Sequence, residues 1–297
     1  SGAGLRIRRM AKAADELPPT ERVKRIAEIF SHFRNPDKET VLTPWRVVNL
    51  HLSNMVGGYC FLNEQFDPQE VLEEPRLVDQ GQVTEDIFLN PEARILEMNS
   101  KSGLYPLYMA YSLYAMKLPA PEDKLPLEQT QALWQETVEQ QIFVLCKTRM
   151  AESITRRTLV GYQEWTVNTV HIARLLDRME KDPQRLAKKL QRTDTWGKEG
   201  KPMKFDAIVG NPPYQLMGGS GGTNDAPIYQ YFASLAEEVE PHYISLIIPS
   251  RWFSAGRKNL LGDFRTQMLA NRKIRKMYVY PSSQDIFPTV DIKGGLC

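Results

Sequence analysis

Between residues 92 and 250 the chain alternates two kinds of segment, and that rhythm restricts the folds open to it more than any other feature. Short apolar runs recur: "ILEM" (Ile95–Met98), "EQQIFVLC" (139–146), "EWTVNTVHI" (164–172), "KFDAIVG" (204–210) and "HYISLIIP" (242–249). Each is long enough for a strand and too short for a stable helix. Between them lie stretches with helical periodicity: "GLYPLYMAYSLYAMKL", "KTRMAESITRRTLVGY", "ARLLDRMEKDPQRLAKKLQR" and "APIYQYFASLAEEV". Pro106 fits the first of these only within its first turn. "KNLLGDFRTQMLAN" then reads as a helix and "IRKMYVY" (274–280) as another strand. Strands alternating with helices at this spacing predict an α/β fold, a doubly wound, mostly parallel, Rossmann-like sheet with helices on both faces.

Upstream of this pattern the chain is helical. Val23, Ile26, Ile29, Phe30 and Phe33 fall at helical spacing within residues 20–34, with Thr20 as the expected cap. A break at 35–44 separates this from "WRVVNLHLSNMV", a second helix for which Thr43 is the expected cap, with Pro44 in the first turn. Residues 57–92 show no clear period and read as irregular. The division expected is an N-terminal helical segment (1–40) and one catalytic domain (41–297). The opening Ser-Gly-Ala-Gly, without Met, reads as an added scar or a processed start, and the abrupt end in "VDIKGGLC" reads as that of a fragment.

Composition sets bounds. The 297 residues carry a net charge of +2, which by itself marks no nucleic-acid binder. The cations are nonetheless grouped, around Lys147–Arg192 and Arg251–Lys276, as solvated faces or as a phosphate-facing surface. No run approaches the roughly 18 apolar residues of a membrane span, so no membrane partner is expected. Cys60, Cys146 and Cys297 are odd in number and widely spaced, which reads as reduced thiols in a cytoplasmic protein. His32, His51, His171 and His242 pair with no ligand at metal-site spacing, so no metal is expected.

The chemistry concentrates at "FDAIVGNPPYQ". Ligands of an open parallel sheet sit beyond the carboxyl ends of its strands, and Asn211-Pro212-Pro213-Tyr214 falls at such an end. Two successive prolines fix a rigid, extended corner with no backbone N–H, so its carbonyls dominate. An Asn side chain stands before this ledge and an aromatic ring after it. The set suits a flat nucleobase with an exocyclic amino group. The Asn211 oxygen and the Pro212 carbonyl would grip the two N–H groups, and Tyr214 would stack on a base flipped out of its duplex. The glycine-rich loop Leu216–Pro227 is expected to be mobile and to close over that base.

Asn-Pro-Pro-Tyr resembles the catalytic motif of S-adenosylmethionine-dependent adenine-N6 DNA methyltransferases. The blocks "TPWRVVNLHL", "ILEMNSKSGLYPLYMAYSLY", "FDAIVGNPPYQ", "APIYQYF", "YISLIIPSRWFSAGRKNLLGDFRTQML" and "FPTVDIKGGLC" are similar, in that order, to those of the gamma class, in the branch found in bacterial restriction-modification enzymes. The resemblance covers residues 41–297. It implies transfer of a methyl group from S-adenosylmethionine to the N6 amino group of adenine in double-stranded DNA. It implies cofactor-binding roles for Thr43, Pro44, Glu97, Asn99, Ser100 and Gly103, catalytic roles for Asn211, Pro212, Pro213 and Tyr214, and a place for Phe287 in the target-base pocket. It also implies a target-recognition region downstream, and a nuclease as a further part of the full-length chain.

The cofactor motif departs from the family pattern of Asp-Pro followed by several glycines: here it reads Glu97-Met98-Asn99-Ser100-Lys101-Ser102-Gly103. After the next strand Cys146-Lys147-Thr148 stands where an acid is expected, with Glu152 the first acid, and after the third strand the acid is displaced to Asp177. A Gly-x-Gly-x-x-Gly dinucleotide loop and a Walker loop are absent. "PEDKLPLE" (121–128) resembles a metal-nuclease pattern but has no second acid at strand spacing, and reads as a solvated linker. Two alternatives stay open: a protein glutamine methyltransferase, which uses the same motif, and a methylase-like non-catalytic module for DNA docking attached to a restriction nuclease.

Overall fold

The computed structural model describes residues 2–33, 42–216, 226–254, 261–288, 292 and 294–297. Helices α1 (Gly2–Ala14), α2 (Pro19–Ser31) and α3 (Trp45–Met55) come first. An antiparallel hairpin, β1 (Gly58–Leu62) and β2 (Val71–Val78), leads to α4 (Gln82–Phe88). The expected alternation follows: β3 (Ile95–Ser100), α5 (Leu104–Met116), α6 (Leu127–Gln141), β4 (Ile142–Cys146), α7 (Arg149–Val160) and β5 (Asn168–His171). Then come α8 (Leu175–Lys181), α9 (Pro183–Leu190), β6 (Ala207–Gly210), the two-residue strands β7 (Gln215–Leu216) and β8 (Ala226–Pro227), α10 (Tyr229–Val239), β9 (Tyr243–Leu246) and α11 (Leu261–Ala270).

Five strands form one sheet, all parallel, in the order β5-β4-β3-β6-β9. The chain starts in the middle, winds outward to β5, crosses back and winds outward to β9. The order therefore reverses between β3 and β6, which is where open α/β sheets place their ligands. The strand sequences carry both faces. Ile95, Val144, Cys146, Ala207 and Val209 join the core shared with α2, α3, α5, α6 and α7. Their neighbours Leu96, Met98, Phe143, Leu145 and Ile208 point the other way, into a second core with α8, α9 and α10. Strands buried on both faces show as continuous apolar runs.

Helix α5 is buried on every side from Leu104 to Tyr114. Four tyrosines recur along it at three-residue intervals, and each hydroxyl is tied to a different element. Tyr105 bonds His51 (2.7 Å), Tyr108 donates to the Gly57 carbonyl (2.8 Å), Tyr111 bonds Thr20 (2.8 Å) and Tyr114 donates to Glu122 (2.7 Å). Helices α1 and α2 are fastened from below. Buried Arg22 pairs with Asp15 (3.4 Å) and donates to the carbonyls of Arg157, Thr158 and Leu159 at the end of α7. Ala14, Val23, Ile26 and Ile29 belong to the same core as α5 and α6.

Several local expectations are corrected. Thr20 is not a cap: Pro18 holds that position, and the Thr20 hydroxyl turns to Tyr111 and Glu122. Thr43 is not the cap of α3; Pro44 takes the position and its carbonyl accepts from Val47 and Val48. The span 57–92 is ordered. Its strand β2 has no buried residue and carries Pro75, as an edge strand can. The single helix expected over 173–192 is two, parted where Asp182, ahead of Pro183, leaves helical geometry and caps α9 through Arg185 N (2.9 Å). Residues 274–280 form no strand: of them only Tyr280 is bridged, to Leu296. The expected mobile loop falls mostly on residues 217–225, outside the described residues; its flanks pair as β7 and β8.

Candidate active site at the sheet switch point

Strands β3 and β6 end side by side, and their last residues build the site. At the end of β3 the register slips between Met98 and Ser100, leaving Asn99 as a bulge. Asn99 has φ 65°, a left-handed conformation that a non-glycine residue holds only under constraint, at a cost of about 1–3 kcal/mol. Its amide nitrogen is buried with no hydrogen-bond partner. Bulges of this kind re-aim side chains beside functional sites. Glu97, two residues before, is 6 % exposed, and its Oε2 also lacks a partner. Burial pushes its carboxyl up to about 8, against smaller opposing effects of the Ser100 hydroxyl and the Lys101 cation.

Ser100 and Gly103 hold the turn that follows. The Ser100 hydroxyl accepts from Gly103 N (3.1 Å) and bonds the Thr155 hydroxyl of α7 (3.0 Å). Gly103 has φ 82°, and a side chain there would meet Thr155 and Thr158 at 3.0–3.3 Å. Both residues lock the loop onto α7 and so hold the bulge of Asn99 in place.

The end of β6 comes close to the same spot. At Gly210 (φ 153°) a Cβ would stand 3.0 Å from the Met98 carbonyl oxygen, so glycine lets β6 run tight against β3 just before the motif. This residue was not singled out in the sequence, although a glycine closing an apolar run ahead of Asn-Pro-Pro is its visible trace. Asn211 Nδ2 then donates to Thr43 Oγ1 (3.1 Å). Its Oδ1 is buried and has no partner. The hydroxyl expected to cap α3 thus orients the Asn211 carboxamide, joining the upstream and catalytic segments in one contact.

Pro212 is buried, and Pro213 and Tyr214 are half-buried. Tyr214 packs against the cluster of Val47, Ile247, Ile286, Phe287 and Leu296, which puts Phe287 in the same apolar wall. The Tyr214 hydroxyl is buried without a partner. Burial pushes its pKa far up; Asn211 beside it acts in the other direction, with no hydrogen bond of ordinary geometry between them. Four buried polar atoms therefore stand without partners on Glu97, Asn99, Asn211 and Tyr214, all at one end of β3 and β6. Buried polar groups are nearly always satisfied, so such a cluster marks a place built for a ligand.

The neighbouring strand ends contribute less. After β4, Thr148 caps α7 by accepting from Ala151 N (3.0 Å), and Lys147 N donates to the Ser100 carbonyl (3.1 Å). After β5, Asp177 is taken up by Arg174 (2.7 Å) on the exposed surface. The first acid after β4 is Glu152, in the first turn of α7. Among the described residues no group of His, Cys, Asp and Glu could hold a metal ion, and no helix is long and apolar enough to cross a membrane.

Comparison with known proteins fits this geometry. Residues 140–287 match the family model of the Eco57I restriction-modification methylases, a span that holds Asn211–Tyr214 and ends at Phe287. An uncharacterised adenine-specific methylase of Mycoplasma pneumoniae is 41 % identical over 97 residues, covering 32 % of this chain and 23 % of that protein. Two solved structures share the fold at 12 % identity. One is from work on the assembly and conformational transition of the type I restriction-modification system (TM-score 0.51, 93 % of this chain, 46 % of that one). The other is a modification subunit assigned to a type I restriction enzyme of Vibrio vulnificus YJ016 (TM-score 0.50, 94 % and 49 %). The chain spans under a quarter of the length of the curated relative and about half of the structural ones. Residues 140–287, the half of the chain that holds Asn211–Tyr214, are thus similar to the restriction-modification methylases.

Proposed function

We propose that the chain is the methylating part of a restriction-modification enzyme and transfers a methyl group from S-adenosylmethionine to the N6 amino group of adenine in DNA. The observation that carries this is the Asn211 carboxamide. Its nitrogen is held by Thr43, and its oxygen, buried and unpartnered, is left as an acceptor. That is the atom an exocyclic amino group needs.

The cofactor, when bound, supplies a methyl group on a sulfonium. The chain's residues do the rest. Asn211 Oδ1 and the Pro212 carbonyl accept the two amino N–H groups and favour a pyramidal nitrogen whose lone pair can attack. The two prolines keep both acceptors fixed, so little reorganisation accompanies the reaction. Tyr214 offers a half-exposed ring as a stacking face for a flipped adenine, backed by Phe287. Glu97 and Asn99 supply an acceptor and a donor for the cofactor, with Thr43 and Pro44 along the other side, and Ser100 and Gly103 keep the turn in shape. A target-recognition region, a nuclease in the same full-length chain and a cytoplasmic location belong to the same proposal.

A second reading has one observation in its favour. At the end of β4 the place of the expected acid is held by Thr148 as a helix cap, and after β5 Asp177 is taken up by Arg174, which suits a methylase-like module kept for docking. Calorimetric titration with S-adenosylmethionine decides between the two. Binding that is lost in Glu97→Ala supports the enzyme, and no binding heat at millimolar cofactor supports the docking module.

A further inference from the structure

Three buried side chains form a hydrogen-bonded line that the proposed chemistry does not use. His51, in α3, is 5 % exposed and stands between two hydroxyls: Tyr105 at Nδ1 (2.7 Å) and Ser245 at Nε2 (2.8 Å). Ser245 lies on β9 opposite Val209, and Tyr105 lies in the first turn of α5, two residues after Gly103. The line ties the upstream helix to the outer strand and ends at Tyr105. Burial raises the Tyr105 pKa well above its ordinary value, and the nearby Tyr214 and Glu97 add to the rise. Those two groups come from opposite halves of the cleft, and each carries a buried atom with no partner.

Burial keeps the imidazole neutral, lowering its pKa to about 3. It therefore has one N–H and one lone pair. The Ser245 hydroxyl has no other hydrogen bond among the described residues. With the proton on Nε2, the Ser245 hydrogen would be buried without an acceptor and the Tyr105 hydrogen would be drawn to Nδ1. With the proton on Nδ1, Ser245 donates to Nε2, Nδ1–H donates to the Tyr105 oxygen, and the Tyr105 O–H is left for the cleft. Only the second arrangement aims every buried hydrogen at an acceptor or at the site.

We propose that His51 is a positioning residue: held by Ser245 as the Nδ1–H tautomer, it turns the Tyr105 hydroxyl toward Glu97, to which that hydroxyl donates when a cationic ligand is bound. The ligand is the methyl donor of the proposed function, so the inference rests on that reading for what binds. The hydrogen-bonded line itself does not.

Nitrogen-15 NMR of the 297-residue chain labelled at histidine reads the tautomer directly. With four histidines in the sequence, the His51→Gln spectrum assigns the signals. Nδ1 is expected to carry the proton near neutral pH. Saturation with S-adenosylmethionine is expected to shift the His51 signals in the parent chain and not in Tyr105→Phe. Calorimetry supplies the second measurement. Tyr105→Phe and His51→Leu should each weaken cofactor binding by about tenfold, as loss of a hydrogen bond to a charged group does, with the double variant no worse than either. Melting curves check that both variants fold. A proton on Nε2, unmoved His51 signals at calorimetric saturation, or additive losses in the double variant would each overturn the positioning role alone. Absence of any binding heat in the parent chain would instead remove the methyl-donor reading, and this inference with it.

Discussion

Replacing Glu97 by Gln isolates what the site takes from the fold. Burial moves the Glu97 carboxyl from its ordinary value of 4.5 to about 8. A carboxyl with a raised folded pKa favours the native state below pH 4.5, and that favour is withdrawn as pH climbs toward 8. One pKa unit corresponds to about 1.4 kcal/mol, so the carboxyl burdens the empty protein by about 3 kcal/mol at pH 7 and about 4 kcal/mol at pH 8. Near pH 5 the burden is under about 1 kcal/mol by the same relation. Against a total stability of about 5–15 kcal/mol this is a large share. Gln keeps the shape and removes the ionisation. Any loss from its unpartnered amide is independent of pH, so the informative quantity is the change in the difference between the two proteins. Urea titrations of Glu97→Gln and the parent, without cofactor, at pH 5, 6.5 and 8 should show the variant gaining steadily on the parent by about 3 kcal/mol in all. A difference that stays constant across this range would refute the account of Glu97 as a buried acid ionising against its surroundings. The same variant should bind S-adenosylmethionine poorly, because stability gained at a functional site commonly comes at the expense of function.

Other outcomes follow from the geometry. Asn211→Ala should lower methyl transfer to duplex DNA by about 10²–10³ while leaving calorimetric cofactor affinity unchanged, and near-normal turnover would exclude the amino-gripping role. Thr43→Val removes the acceptor that holds the Asn211 carboxamide and should lower the saturated transfer rate by about tenfold; a fall in cofactor affinity alone would place Thr43 with the cofactor instead. Asp15→Ala leaves Arg22 buried without its anion beneath α7 and should cost about 3–5 kcal/mol, read as a lower denaturation midpoint. In gel shifts the 297-residue chain should bind duplexes weakly, with dissociation constants of about 10⁻⁴–10⁻⁶ M at physiological salt and no sequence preference; tight, salt-tolerant binding to one sequence would show that these residues read bases.

The sheet was legible because its strands are buried on both faces. "ILEM", "IFVLC" and "AIVG" have no polar alternation that a helix or an exposed strand could imitate. The hairpin at 57–78 was hidden for the opposite reason: "VLEEPRLV" is an exposed edge, and its Pro75 and paired glutamates break any period. "IRKMYVY" has strand composition but no partner edge over most of its length, which shows how far strand propensity depends on a neighbour. At the site, the rigid corner of Asn211–Tyr214 was visible in the residues themselves. What Thr43 does was not. A Thr before Pro and an apolar helix is read locally as a cap, whereas its hydroxyl answers a residue that only the fold brings near. The bulge at Asn99 and the line through His51 escaped for the same reason, since both depend on contacts between distant segments.

The reversal of strand order between β3 and β6 has a consequence for how the protein acquires its activity in time. Ile95 pairs with Ile142 on one side and with Ala207 on the other. The first pairing closes the shorter excursion, through α5 and α6, and the second must wait for the whole excursion through β5, α8 and α9 to return. Contacts of such long sequence separation form slowly, because chain closure precedes the reward. Glu97 and Asn99 lie on one side of that late seam, and Asn211 and Tyr214 on the other. A nascent or half-folded chain can therefore have its first strands and helices in place and still possess no site. Under the proposed function, competence to modify DNA is in this sense a proofreading signal: it arises only in molecules in which this long-range closure has succeeded, and a refolding experiment that follows cofactor binding beside circular dichroism would see helices well before it sees the assembled site.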